Sequence, residues 1–176
     1  MKNISSILLG LGFFLTGGLS LAATPTQALK VAPHNILKED GALQGGASGR
    51  VTSLLDIRRS YSRNKKEERV VIDVGDSNQQ KLKGKLGYYT VEMKKGRQIV
   101  LNFNQTLNSK FDEKELKKRL MGSGYILSSN MLFDPMSQTL SLVMNLKKAA
   151  AVKVVAVGGS KETGKLVLDF TENKSK

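Results

Sequence analysis

Arg69-Val70-Val71-Ile72-Asp73-Val74 places Val70, Ile72 and Val74 on one face of an extended chain, the two-residue period of a half-buried strand. Three later stretches end in the same way: Leu101-Asn102-Phe103, Met144-Asn145-Leu146 and Leu168-Asp169-Phe170, each an apolar residue, then Asp or Asn, then an apolar residue. Outward from these, strands are expected over 51–57, 69–74, 88–93, 98–103, 125–133, 139–146, 151–157 and 165–170. Lys94-Lys95-Gly96-Arg97 reads as a tight hairpin with a glycine where positive φ is needed, and Asp134-Pro135, Lys147-Lys148 and Gly158-Gly159 mark other turns. Parallel pairing needs long crossovers, and only one linker here can hold a helix. The expected fold is therefore mainly β. It is a sandwich of two small symmetry-related sheets, built from an internal repeat of a four-strand unit (51–103 and 125–170), with one short helix between the halves.

That helix is expected over 112–121. Asp112-Glu113-Lys114-Glu115 has the form of a capping box, and Phe111 and Leu116 stand at hydrophobic-staple spacing. Lys117, Lys118 and Arg119 complement the negative end of the dipole, and Gly122 follows as the C′ residue.

The N-terminus carries different information. Lys2 precedes an apolar run from Ile4 to Leu21, and Ser20-Leu21-Ala22 sets small residues before a cleavage point, the form of a secretory signal peptide over 1–22. Residues 23–50, with Pro25, Pro33 and a glycine cluster, read as a flexible leader. The β domain follows over 51–170, and 171–176 form a tail. After signal cleavage no integral membrane span is expected, so the protein is expected to be exported, in the periplasm or elsewhere in the cell envelope.

Composition narrows the chemistry. The chain of 176 residues has no Cys and one His, so disulfides, thiolate sites, cysteine nucleophiles and multi-histidine metal sites are excluded. His34 sits beside Pro33 in the leader, away from any catalytic pattern. Gly122-Ser123-Gly124 lacks a histidine base and reads as a helix-end loop. Asp73, Asp169 and Glu92 could pair as carboxylates, yet the chain has no Trp for stacking a sugar in a glycosidase cleft. The expectation is a non-enzyme without a cofactor.

The net charge of +13 calls for an anionic partner, and export turns that partner from nucleic acid toward an envelope polymer or an acidic membrane surface. Arg58, Arg59, Arg63, Lys65, Lys66 and Arg69 crowd the first hairpin, Lys81, Lys83 and Lys85 alternate in the next loop, and Lys94, Lys95 and Arg97 form the third turn. They predict a basic rim at one end of the sandwich. Candidate ligand-binding residues are Arg69, Arg97, Asp73, Arg58 and Lys95. Arg69 and Arg97 stand at strand starts with forks suited to carboxylates, and Asp73 is placed to orient an arginine or to close a strand end.

The strand motifs resemble the AMIN domain. Arg69 to Val74, then Tyr89-Thr90-Val91, then Arg97 to Phe103 follow its pattern. Ser141 to Leu146, Lys153 to Val157 and Lys165 to Phe170 do so in a second copy. Asn102 and Asn145 stand where the family has Asp, and Ser141 where it has Arg. The resemblance implies a periplasmic module that targets peptidoglycan and holds a cell-wall amidase or a secretin there. An alternative role is a structural subunit or adaptor of a secretin- or pilus-type envelope complex, joined through sheet edges.

Overall fold

A computed structural model describes residues 35–64, 66–158 and 164–173. The expected signal peptide and His34 lie outside the described residues. Eleven strands and one helix follow in order. They are β1 (Ile36–Leu37), β2 (Gly41–Gly45), β3 (Thr52–Ser62), β4 (Glu67–Asp76), β5 (Tyr89–Lys94), β6 (Gln98–Phe103), β7 (Thr106–Ser109), α1 (Glu113–Leu120), β8 (Ile126–Asp134), β9 (Thr139–Leu146), β10 (Ala150–Val157) and β11 (Gly164–Glu172). One sheet has the order β1-β10-β11-β4-β3-β7, the other β2-β5-β6-β9-β8. The fold is a two-sheet sandwich with one short helix, as expected.

Alternation builds it. In β4, Val70, Ile72 and Val74 face inward and are essentially inaccessible; in β9, Leu140, Leu142, Met144 and Leu146 do the same. They share one continuous core with Val91, Ile99, Leu101, Leu166, Leu168 and Phe170. Exchanging β3, β4, β5 and β6 for β8, β9, β10 and β11 carries β3-β4-β11-β10 onto β8-β9-β6-β5, the four-strand run of the other sheet that ends at its β8 edge. The halves thus interlock, with β4 paired to β11 and β6 to β9.

α1 begins where the capping pattern places it. Asp112 accepts from the Glu115 amide at 2.7 Å, and Leu116 and Leu120 are buried. Gly122 has φ +76 just past the C-cap. Between β5 and β6, Lys95 and Gly96 both have positive φ and Arg97 N bonds to Lys94 O at 3.1 Å, which fixes a tight turn.

Two boundaries need correction. Residues 35–50 are not a flexible leader: β1 pairs with β10, β2 pairs with β5, and Leu37 is buried at 2% exposure. The glycines that suggested flexibility serve close approach instead. Gly46 has φ +83, and a Cβ there would fall on the Gly87 carbonyl, while Ala47 N donates to Leu86 O at 2.8 Å. The tail also starts later than 171, because β11 runs to Glu172. β7, read as a linker, adds a short ladder parallel to β3, tied by Thr52 Oγ1 and Thr106 Oγ1 at 2.6 Å.

Candidate functional site

The outward side chains of the two sheets differ in kind. On the six-stranded sheet the register sets Lys153, Asp169, Arg69 and Ser60 in one row across β10, β11, β4 and β3. Val155, Val167, Val71 and Arg58 form the next, followed by Val157, Lys165, Asp73 and Asp56. Arg69 grips Asp169 with two parallel bonds, Nε to Oδ1 at 2.6 Å and Nη2 to Oδ2 at 2.9 Å. These bonds, with the attraction of the carboxylate, raise the Arg69 pKa above its ordinary value. Arg58 donates to Asp73 and lies 3.7 Å from Asp56. Asp73 is therefore engaged by an arginine of the neighbouring strand.

On the five-stranded sheet, β6 and β9 pair through neutral side chains instead. Ser141 Oγ donates to Asn102 Oδ1 at 2.7 Å where the other sheet pairs Arg69 with Asp169, and Gln98 Nε2 donates to Asn145 Oδ1 at 2.8 Å. Asn102 Nδ2 continues the ladder to Thr90 Oγ1 at 3.0 Å, and Asn145 Nδ2 to Ser128 Oγ at 3.0 Å. This face is held mainly by amides and hydroxyls, with Glu92 accepting from Asn102 Nδ2 at 3.3 Å and lying 3.5 Å from Lys94.

The basic rim divides. Successive hairpin turns of an antiparallel run emerge at alternate ends. The β3–β4 and β5–β6 turns share one end, linked through Tyr125 OH on Lys66 O at 3.0 Å, Lys147 N on Tyr125 O at 2.8 Å and Leu146 N on Arg97 O at 2.7 Å. Lys81, Lys83 and Lys85 lie at the other end. A single rim made by all three turns is therefore ruled out.

Arg69, Asp73 and Arg58 are brought together on one face, whereas Lys95 and Arg97 sit on the adjoining end. The Lys95 amide donates to Asp40, and Arg97 is exposed with no side-chain hydrogen bond among the described residues. Beside Arg69, a groove of about 710 Å³ holds Lys38, Lys66 and Lys153 with Glu67, Asp169 and Glu172. Lys38, Lys66 and Lys153 have no carboxylate partner among the described residues. Arg69 uses Nε and Nη2 on Asp169, leaving Nη1 outside that fork.

Sequence reasoning missed Glu68. This carboxylate is fully buried, accepts from Ser123 Oγ and from Gly124 N at 2.7 Å, and has Arg59 Nη1 at 3.7 Å. It pins the loop after α1 to β4, which explains Gly122-Ser123-Gly124 as a structural anchor. Its only sequence sign was an acid at an inward position of β4. Among the described residues no group of three acidic or histidine side chains could hold a metal, and no helix is long and apolar enough to cross a membrane.

Comparison with protein-family models, curated proteins and solved structures finds no match.

Proposed function

We propose that this chain is an exported, non-catalytic module that binds peptidoglycan or another anionic envelope polymer and holds a partner, such as an amidase or secretin, in the cell envelope. The observation that carries this reading is the groove beside Arg69, where three lysines lack carboxylate partners among the described residues and a half-exposed guanidinium is held in place by Asp169. A stem-peptide carboxylate entering there would meet Lys153 and Lys66, with Arg97 and Lys95 on the neighbouring rim. The likeness of the strand motifs to the AMIN pattern supports the same reading.

Sedimentation with purified sacculi tests it. Arg97→Ala with Lys153→Ala should weaken binding about tenfold or more, because well-formed charged hydrogen bonds are lost. Lys117→Ala with Lys118→Ala removes the same charge from α1, where both lysines pair with glutamates, and should change it little. Equal losses from the two folded double variants would refute a discrete site.

One feature favours the adaptor reading. β8 is the longest edge strand, carries Asp134 as its only charge, and exposes Leu132 and Phe133. If β8 captures a partner strand, Leu132→Lys should abolish assembly and leave sacculus binding intact.

A further inference from the structure

The end of the sandwich opposite Arg97 is closed by a loop that has no counterpart in the other half. β4 reaches β5 only after residues 77–88, whereas Leu146 of β9 is followed by β10 at Ala150. Leu82 and Leu86, each 3% exposed, turn inward and pack on Gly164; a Cβ there would lie 3.0 Å from Leu82 Cδ2 and 3.3 Å from Leu86 Cδ2. Their burial forces the alternate residues Lys81, Lys83 and Lys85 outward, and all three are exposed.

The loop is held firmly. Asp76 Oδ1, in the groove that also holds Arg50, Lys81 and Lys83, accepts from Asn78 N and Gln80 N, both at 2.9 Å, and fixes the turn. Arg50 donates to the Lys85 carbonyl and lies over Gly84, whose φ is +91. Arg50, Lys81, Lys83 and Lys85 have no carboxylate partner among the described residues. Two exposed apolar side chains lie at this end. Val51, 38% exposed, shares a groove of about 640 Å³ with Arg50, Lys81 and Lys83. Val157, 43% exposed, precedes Gly158, which abuts the Gly84 carbonyl.

We propose that this end of the sandwich docks on an anionic phospholipid bilayer, with Arg50, Lys81, Lys83 and Lys85 against headgroup phosphates and Val51 and Val157 at the acyl boundary. Lysine supplies point charges that need no bidentate geometry, which suits a fluid array of phosphates. A soluble polyanion would satisfy the cations equally but would leave the valines in water, so the combination selects a bilayer. The inference rests on this end of the sandwich and does not depend on peptidoglycan binding.

The test is partitioning of the full chain onto vesicles of one part phosphatidylglycerol to two parts phosphatidylcholine, against phosphatidylcholine alone. The N-terminal run, with Lys2 before it, is common to every variant, so the change between variants in the ratio of the two vesicle types is the readout. A basic residue near an anionic surface contributes about fivefold, so Lys81→Gln, Lys83→Gln and Lys85→Gln together should lower that ratio about 100-fold. Lys94→Gln, Lys95→Gln and Arg97→Gln remove equal charge from the other end and should lower it several-fold at most. Val51→Ser with Val157→Ser should weaken vesicle binding but not binding to soluble polyphosphate. Equal losses from the two triple variants would overturn the proposal, as would a lysine effect without a valine effect, which would mark a soluble-polyanion site. All the substituted side chains are exposed, and matching melting curves confirm that each variant is folded.

Discussion

Arg69 and Asp169 belong to strands that meet only through tertiary pairing, and their removal should be unequal in cost. Arg69→Ala strips Asp169, whose side chain is 7% exposed with the arginine in place, of both guanidinium bonds. An abandoned charged acceptor of this kind costs about 2–3 kcal/mol. Asp169→Ala leaves a guanidinium that is 53% exposed and can turn to solvent, so about 1 kcal/mol is expected. Removing both should cost less than the sum, with a coupling of about 1–2 kcal/mol after allowing for screening at the exposed arginine. Urea unfolding of the four proteins measures this cycle. For a chain of this size each kcal/mol corresponds to about 2–4 °C in Tm, so Arg69→Ala should melt about 4–12 °C lower. A coupling near zero, or a larger loss from Asp169→Ala, would refute the claim that the pair clamps β4 to β11.

Two further outcomes follow from local geometry. Gly46→Ala and Gly49→Ala both place a side chain at positive φ, costing about 1–2 kcal/mol, but only at Gly46 does the new Cβ strike a carbonyl, so that variant should melt distinctly lower; equal melting temperatures would show that the 46–87 contact yields freely. Glu113 has its pKa lowered, chiefly by its hydrogen bond from Lys117 and then by the Met131 amide. Its stabilisation is therefore full above its unfolded value of 4.5 and is lost as pH falls through the lower folded value. Glu113→Gln should flatten that acid limb of a stability profile, and an unchanged limb would remove Glu113 as its source.

Much of the fold was legible because period-two alternation survives wherever one face of a strand meets the core. β6 and β9 span the residues expected, and α1 follows its capping signals. β1, β2 and β7 were not legible. They are edge strands of two, five and four residues, too short to show a period, and their places are set by tertiary contact. The candidate site was legible in part. A sequence displays Arg69 and Asp169 as two charges, and only the register shows that they face each other across β4 and β11. The alternation of Lys81, Lys83 and Lys85 with Leu82 was visible, but which end of the sandwich it closes depends on strand direction.

The interlocked strand order also governs when the molecule can finish folding. β4 must wait for β11, and residues 69 and 169 that meet across that ladder lie a hundred positions apart. Until the last strand has left the ribosome, the first half has an open inner edge and an uncovered apolar face, so no early fragment can lock into a native unit. Long loop closure of this kind slows collapse into the final register. The chain therefore remains threadable through a narrow conduit for as long as its C-terminus is unfinished or held back.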